Sequence, residues 1–282
     1  MQRSDITRPI VIAGPCCAES FELLSTVAEH LYNLSKKLSF DLVFKSSFDK
    51  ANRTSIDNFR GPGIDQTLAW FTTLKAKYGF KVLTDIHESW QAKAVSGVVD
   101  VLQIPAFLCR QTDLLIAAVE TGRLVNVKKG QFLAPGDAKN IVLKAKQTAD
   151  EKSLPMKMML TERGASFGYG NLVVDPRSFP IMAENNVPII FDITHSTMLP
   201  GAAADGKSSS GQRKFAPTLA RASTATGYLS GFFLEVHSQP SQALSDKAVQ
   251  LSLDQSKLLL EQIIPFWREC SELNSIDRQF ED

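Results

Sequence analysis

Short runs of apolar and β-branched residues alternate along the chain with segments in which apolar residues recur every three or four positions. The first pattern is typical of strands buried on both faces, and the second is typical of amphipathic helices. The predicted strands are Pro9–Ala13, Asp41–Lys45, Lys81–Thr84, Val98–Ile104, Leu124–Lys128, Met156–Thr161, Pro188–Ile193 and Phe232–Val236. The predicted helices are Leu23–Leu38, Gln66–Tyr78, Leu114–Thr121, Ala138–Ala149, Thr218–Leu229 and Ser252–Cys270.

Eight strands separated by helical segments in 282 residues predict an α/β fold, a (β/α)8 TIM barrel that occupies residues 1–282 as a single domain. An open, doubly wound parallel sheet is the alternative architecture. No predicted strand is followed by a Gly-x-Gly-x-x-Gly turn, and this disfavours the alternative.

The composition narrows the class of protein. With 44% hydrophobic and 22% charged residues the chain resembles a soluble globular enzyme, and its net charge of +1 gives no general attraction to nucleic acid or membranes. The sequence contains no apolar run of membrane-spanning length, no signal-peptide pattern and no zinc-finger or disulfide spacing among its four cysteines. We therefore expect a cytoplasmic protein with reduced thiols that binds neither nucleic acid nor membranes.

A loop rich in cations and small polar side chains follows the second predicted strand. A lysine offers a compact point charge, and an arginine offers a planar fork that matches phosphate oxygens in pairs. We predict that the loop binds a multiply anionic ligand, although a solvated loop with ordinary surface lysines is the alternative. The loop contains Lys45, Ser47, Lys50, Asn52, Arg53, Thr54 and Ser55.

Cations also stand at the ends of other predicted strands, with Lys128 after the fifth and Arg163 after the sixth. The carboxyl ends of barrel strands converge on one face, where barrel active sites are built. Several cations that face one cavity are costly unless an anion neutralises them. The pattern therefore predicts one or two phosphorylated or carboxylated substrates.

A candidate metal site can be read from four further residues. Cys16, His195 and Glu235 end the first, seventh and eighth predicted strands, and Asp246 follows soon after. A thiolate, an imidazole and two carboxylates suit a divalent ion such as Zn²⁺, Fe²⁺ or Mn²⁺. Taken singly, each residue also fits a structural role: a buried cysteine, a hydrogen-bonded histidine or a helix-capping aspartate.

The segment Ser196–Lys214 is rich in Gly, Ala and Ser and has no hydrophobic period. It follows the seventh predicted strand, where a barrel places an active-site loop. A mobile lid is the favoured interpretation, and a disordered surface loop is the alternative.

Motifs spread from about residue 9 to about residue 250 resemble those of the 3-deoxy-D-manno-octulosonate 8-phosphate synthase family. The resemblance implies a homotetrameric (β/α)8 barrel that condenses phosphoenolpyruvate with D-arabinose 5-phosphate and releases phosphate. The product would be the precursor of a lipopolysaccharide sugar. The matching segments are Ile12–Cys16, Lys50–Ser55, Phe59–Gly63, Thr84–Glu88, Pro105–Asp113, Asn126–Lys129, Glu162–Tyr169, Phe191–Ser196 and Glu235–His237.

The resemblance also implies roles for individual residues. Phosphoenolpyruvate is expected to bind through Lys50, Lys128 and Arg163, with help from the Ala106 backbone, in a pocket that includes Lys45 and Ser47. Arabinose 5-phosphate is expected to bind through Asn52, Arg53 and Thr54, with Arg53 on the phosphate. Asp85 and His87 are candidates for proton handling or hydroxyl recognition, alongside Lys50 and Lys128 as predicted catalytic residues; a structural hydrogen bond is the alternative for the pair.

The residue at position 16 separates two classes of the family, because cysteine marks metal-dependent members and asparagine marks metal-independent ones. The resemblance therefore implies a divalent ion held by Cys16, His195, Glu235 and Asp246. Family members usually continue the last ligand as Asp-Gly-Pro, whereas Lys247 and Ala248 follow here. Asp246 is accordingly expected to be the least secure ligand.

Two other functions remain open at this point. A sister enzyme of the shikimate pathway uses erythrose 4-phosphate on the same barrel with the same metal set, but its loop typically reads Lys-Pro-Arg-Thr-Ser. Asn52 in Lys-Ala-Asn-Arg favours the octulosonate enzyme. A catalytically inactive barrel that serves as a binding protein is the second alternative, and the presence of every expected substrate cation disfavours it.

Overall fold

The computed structural model describes residues 2, 5–53, 55–167, 170–200, 210–271 and 273. In this part of the chain, eight parallel strands close into a barrel, and the last strand pairs with the first. This arrangement confirms the predicted (β/α)8 TIM barrel. The barrel strands are β1 (Ile10–Gly14), β2 (Asp41–Lys45), β3 (Lys81–Asp85), β4 (Val101–Ile104), β5 (Leu124–Lys128), β6 (Met158–Glu162), β7 (Ile189–Asp192) and β8 (Gly231–Glu235).

A helix follows each barrel strand. None of the described helices is both long enough and apolar enough to cross a membrane. The helices are α1 (Phe21–Leu38), α2 (Ile64–Tyr78), α3 (Ser89–Val95), α4 (Thr112–Glu120), α5 (Ala138–Glu151), α6 (Ser178–Ala183), α7 (Ala216–Thr224) and α8 (Leu253–Cys270).

Sequence patterns located some boundaries wrongly. The strand predicted from Val98 begins at Val101. Val99 is fully buried in the outer core, so it fits the apolar pattern without being part of the sheet. The helix predicted through Leu229 ends at Thr224, and Gly227 soon afterwards has a φ of 73° in the left-handed region. Hydrophobic burial alone therefore does not define the ends of an element.

Two hydrophobic cores lie on opposite sides of the barrel wall. The larger core fills the space between the strands and the surrounding helices. The smaller one lies inside the barrel, where side chains from alternate strand positions pack together. Its buried members are Ile10, Ile12, Val43, Leu83, Val101, Met159, Ile190 and Phe233. This inner plug closes the amino-terminal part of the barrel and leaves the carboxyl-terminal part for polar residues.

A short ribbon follows β7, formed by antiparallel pairing of Met198–Leu199 with Ser210–Gly211. The residues between these strands, 201–209, lie outside the described part of the chain. Most of the predicted lid Ser196–Lys214 therefore consists of this ribbon and of residues on which the structure gives no information. The lid role stays a prediction.

The barrel closes where β8 passes very near β1. A Cβ atom added at Gly231 would lie 1.9 Å from the carbonyl oxygen of Ile10, which is far inside van der Waals contact. We expect Gly231→Ala to lower the free energy of unfolding by at least about 1–3 kcal/mol, because the strands must separate to admit the methyl group. Urea denaturation followed by circular dichroism measures the effect.

Gly97 provides the matched control, because a Cβ added there meets nothing within 4 Å. Gly97→Ala should change stability by no more than about 0.5 kcal/mol. Equal stability of the two variants would contradict the close approach of β1 and β8.

Candidate active site

Polar side chains line the inner wall of the barrel above the apolar plug. All but Lys128 stand two residues after an inner apolar position, and Lys128 stands two residues after Asn126, since successive side chains of a strand point to opposite faces. The β5 amide Asn126 illustrates the resulting contacts: it donates to Gln103 at 3.0 Å and accepts from the Thr161 hydroxyl at 2.7 Å. The buried members of this layer are Lys45, Asp85, Gln103, Asn126, Lys128, Thr161, Asp192 and Glu235.

Three of the four predicted metal ligands form a compact group. One ligand atom from each of Cys16, Glu235 and Asp246 lies within 4.8 Å of the others. The Cys16 Sγ atom is 3.1 Å from Asp246 Oδ2. The Nε2 atom of His195, the fourth predicted ligand, is 3.6 Å from Glu235 Oε2 and 3.8 Å from Asp246 Oδ2. The structure thus brings all four residues together, with His195 beside the two carboxylates.

The chemistry of this group suits a divalent cation. Burial raises the pKa of the Cys16 thiol well above its ordinary value, and the nearby charges of Asp246 and Glu235 raise it further. The buried Glu235 Oε2 atom has no hydrogen-bond partner among the described residues. A divalent ion would offset both features, because it favours the thiolate and accepts carboxylate oxygens as ligands. The donor set therefore fits a metal of the Zn²⁺, Fe²⁺ or Mn²⁺ type.

The buried carboxylate of Asp192 orients His195. Its Oδ2 atom lies 2.7 Å from His195 Nδ1, and its Oδ1 atom accepts the His195 backbone N–H at 2.9 Å. An Nδ1 atom that donates to a carboxylate leaves Nε2 as the lone-pair nitrogen, which is the arrangement of a metal-binding histidine. Asp192 is not among the site residues that the sequence pattern predicts. Its position two residues after the inner residue Ile190 could have indicated that its side chain also points into the barrel.

Two buried lysines are paired with these acids. The Lys45 Nζ atom donates to Glu235 Oε1 at 2.7 Å and to the Cys16 carbonyl at 2.8 Å. The Lys128 Nζ atom lies 2.5 Å from Asp192 Oδ2 and 3.6 Å from the centre of the Phe233 ring. Burial lowers the pKa of Lys128, despite the opposing effect of Asp192. Both lysines therefore belong to the wall of the site, as predicted, but each already holds a carboxylate.

Lys50, Ser47, Asp85 and His87 lie on the neighbouring side. The Lys50 ammonium donates to the Ser47 hydroxyl at 2.9 Å, and His87 Nε2 lies 3.0 Å from Asp85 Oδ2. Burial disfavours the charge of Lys50, but Cys16 and Asp85 outweigh it and raise the lysine pKa. Burial likewise acts against ionised Asp85, yet hydrogen bonding to His87 and the charge of Lys50 hold its pKa well below the usual range. Asp85 and His87 are thus bonded to each other, and their role in handling a proton stays a prediction.

Arg163 reaches the same layer from the end of β6. Its side chain is buried; Nη2 donates to Met198 Sδ at 3.3 Å, and Nη1 has no hydrogen-bond partner among the described residues. Burial lowers the pKa of the guanidinium. The preceding residue, Glu162, fixes the turn by accepting the backbone N–H groups of Arg163 at 2.9 Å and Gly164 at 2.7 Å. A buried guanidinium with an unused N–H group is suited to bind an anion.

Arg53 anchors the cation-rich loop to two backbone carbonyls. Arg53 donates to the Phe59 carbonyl at 2.9 and 2.7 Å and to the Leu244 carbonyl at 3.1 Å. Asn52 beside it is exposed, and Thr54 lies outside the described residues. Ala106, whose backbone was predicted to assist substrate binding, is buried in a short 3₁₀ turn after β4.

The sequence matches the DAHP synthetase I family model over residues 4–268. The chain belongs to the DAHP synthetase I family.

Several similar proteins carry the name 2-dehydro-3-deoxyphosphooctonate aldolase. The protein of Helicobacter hepaticus is 50% identical over 260 residues, which cover 90% of this chain and 95% of that protein. The protein of Trichlorobacter lovleyi is 52% identical over 254 residues, covering 90% of each chain. The protein of Brucella canis is 52% identical over 258 residues, covering 92% of this chain and 90% of that protein. These relatives confirm the resemblance noted from the motifs.

In this DAHP synthetase I family member, Asp192 compensates Lys128 in a fully buried position. We expect Asp192→Asn to reduce stability by about 3–5 kcal/mol, because the neutral amide leaves the lysine charge buried without a counter-ion. Guanidinium denaturation at neutral pH measures the loss.

The matched control is Asp175→Asn, which also breaks an ion pair of an aspartate, in this case with the exposed Arg177. An exposed pair contributes about 0–1 kcal/mol, so this variant should be close to the parent protein. Similar losses of stability in the two variants would argue against a large cost of leaving the buried Lys128 charge uncompensated.

Proposed function

We propose that this protein condenses phosphoenolpyruvate with D-arabinose 5-phosphate and water, giving 3-deoxy-D-manno-octulosonate 8-phosphate and inorganic phosphate for lipopolysaccharide (Kdo) biosynthesis. The observation that carries the proposal is the convergence of Lys45, Lys50, Lys128 and Arg163 around one buried layer. The names of the similar aldolases support the same substrates.

Phosphoenolpyruvate is the anion that fits the inner cations. Its phosphate and carboxylate together need several positively charged donors. Lys50, Lys128 and Arg163 provide them from the ends of three different strands. The unused Nη1 group of Arg163 offers a donor for a phosphate oxygen. The Ala106 backbone, Lys45 and Ser47 complete the proposed subsite. Binding of the anion would offset the cost of burying these charges.

The aldose phosphate is assigned to the outer loop, where Asn52, Arg53 and Thr54 follow one another. Arg53 presently uses its N–H groups on the Phe59 and Leu244 carbonyls. A phosphate dianion is a stronger acceptor than a neutral carbonyl, so a bound sugar phosphate would draw the guanidinium to itself. The exposed Asn52 would then face the hydroxyl groups of the longer sugar.

Catalysis in this proposal depends mainly on charge neutralisation and positioning. C3 of phosphoenolpyruvate attacks the aldehyde carbon of the pentose, C2 gains positive character, and water adds to C2. The resulting hemiketal phosphate loses inorganic phosphate by C–O cleavage. Lys50 and Lys128 would hold the anionic groups in place, and the hydrogen-bonded pair Asp85 and His87 would hold or move a proton near the aldose.

A divalent ion is proposed as the cofactor, held by Cys16, His195, Glu235 and Asp246. When bound, such an ion acts as a Lewis acid that polarises an oxygen or lowers the pKa of a water molecule. We further propose a single-domain, cytoplasmic homotetramer that binds neither nucleic acid nor membranes, as the family resemblance and the balanced charge suggest.

The related seven-carbon synthase that uses erythrose 4-phosphate and an inactive binding barrel are not favoured. Asn52 is exposed beside the phosphate-binding arginine, where the seven-carbon enzymes typically have proline. The expected inner cations and acids are all present, and Lys45 and Lys128 are paired with Glu235 and Asp192. An inactive barrel would have no need to retain this set.

The choice of sugar is the first test of the proposal. Phosphate release from phosphoenolpyruvate should proceed with a kcat/KM at least about 100-fold higher for arabinose 5-phosphate than for erythrose 4-phosphate, because the shorter sugar leaves polar groups unpaired. Equal or reversed values would refute the assignment.

Arginine variants locate the sugar phosphate. Arg53→Ala should raise the KM for arabinose 5-phosphate by about 10-fold or more, with little change in the KM for phosphoenolpyruvate. Arg60→Ala is the control, because that guanidinium is exposed and bonded to Asp49 on the same loop. Equal effects of the two variants would remove Arg53 from the proposed subsite.

Metal dependence is the second test. A chelator should abolish turnover, and Zn²⁺, Fe²⁺ or Mn²⁺ should restore it. Cys16→Ser should weaken metal binding sharply, since a neutral hydroxyl replaces a soft thiolate. Cys17→Ser should have little effect: the Cys17 thiol contacts the Arg60 carbonyl at 3.8 Å, and burial raises its pKa to about 11. Full activity of protein shown by elemental analysis to be metal-free would exclude the proposed cofactor.

A further inference from the structure

The side chain of Gln250 connects the two loops that carry Cys16 and Asp246. Gln250 is completely buried. Its Oε1 atom accepts the Cys16 backbone N–H at 3.1 Å, and its Nε2 atom donates to the carbonyl of Ser245, next to Asp246, at 2.8 Å. Both ends of one amide therefore hold backbone groups at the two ligand positions.

The loop at Asp246 needs such support. Asp246 has a φ of 46°, in the left-handed region that non-glycine residues rarely adopt. Its carbonyl accepts the backbone N–H groups of Val249 at 3.0 Å and Gln250 at 3.2 Å, which makes a tight turn. The Gln250 side chain then ties the start of that turn to the end of β1. One residue thus links the unusual turn at Asp246 directly to the backbone of Cys16.

We infer that Gln250 is a positioning residue that pre-organises Cys16 and Asp246 as a pair of metal ligands. It would not contact the metal, since its amide atoms are occupied by the Cys16 N–H and the Ser245 carbonyl. The Cys16 Sγ and Asp246 Oδ2 atoms lie 3.1 Å from each other, although their loops are separated by 230 residues in the sequence. A contact between the two loops is therefore needed to hold the two ligand atoms together. Residues that orient ligands typically change metal affinity by about 10–100-fold when removed.

This inference rests on the metal site of the proposed function, and its test uses metal binding rather than turnover. Metal-free protein is titrated with Co²⁺ in competition with a chromophoric chelator, and the thiolate-to-Co²⁺ absorption band is recorded. Gln250→Leu should weaken Co²⁺ binding by about 10–100-fold and shift or weaken that band. Gln250→Glu, which keeps an acceptor for the Cys16 N–H but loses the donor to Ser245, should bind with intermediate affinity.

Gln255→Leu is the matched control. The Gln255 side chain also accepts a backbone N–H, that of Ser252 at 3.0 Å, but it caps the start of α8. Because Gln255 is exposed, this variant should lose less thermal stability than Gln250→Leu in the presence of chelator, and it should bind Co²⁺ with the affinity of the parent protein. Gln250→Leu should in addition lose most of the rise in melting temperature that Co²⁺ gives the parent.

The outcomes separate the two claims. If the parent protein binds Co²⁺ without a thiolate band, or does not bind it, the proposed metal site fails and the inference fails with it. If the parent binds Co²⁺ through the thiolate and Gln250→Leu binds equally well, the role of Gln250 is overturned while the metal site stands. Should Gln250→Leu not fold, Gln250→Glu decides: unchanged affinity and band shape overturn the inference.

Discussion

The two-residue period of the barrel strands is the constraint on which the rest of the structure depends. On β8, Phe233 packs in the apolar plug and Glu235 stands one layer above it; on β7, Ile190 and Asp192 have the same relationship. The same relationship holds for Val43 and Lys45 on β2 and for Leu83 and Asp85 on β3, which places polar residues in the layer above a dry base. A shift of any strand by one residue would exchange these faces, so packing of the plug also fixes the chemistry of the site.

Charge balance then determines which groups in that layer remain available. Burying an ion costs several kcal/mol unless a partner compensates it, and here Glu235 is paired with Lys45 while Asp192 is paired with Lys128. Arg163 differs, because its Nη2 atom contacts only a methionine sulfur and its Nη1 atom has no partner among the described residues. Arg163 therefore keeps an N–H group for an anion at the end of β6. An incoming anion would complete the pairing there rather than compete with an existing carboxylate.

Sequence reasoning recovered the barrel because its strands are buried on both faces and keep their apolar pattern. It missed α3, whose seven residues are too few to show a helical period, although the reciprocal bonds of Glu88 and Gln91 form a capping box. It proposed candidate site residues at the strand ends, since the direction of their side chains follows from the strand period. It could not find Gln250, whose partner Cys16 is 234 residues away and whose own segment has no regular pattern. Contacts between distant loops depend on the folded geometry and leave no local signal.

The loop that carries Asp246 belongs to the proposed metal site and also contacts the proposed sugar-phosphate subsite. Arg53, on the loop assigned to the sugar phosphate, donates to the carbonyl of Leu244 at 3.1 Å. Arg213, just after the ribbon, donates to the carbonyl of Lys247 at 2.5 Å. Two guanidinium groups therefore hold this loop by hydrogen bonds on either side of the proposed metal ligand. Both groups have the shape and charge to bind a phosphate instead. A sugar phosphate that draws Arg53 away would remove one of these restraints. The contacts of Gln250 would then hold Asp246 beside Cys16 while the substrate binds.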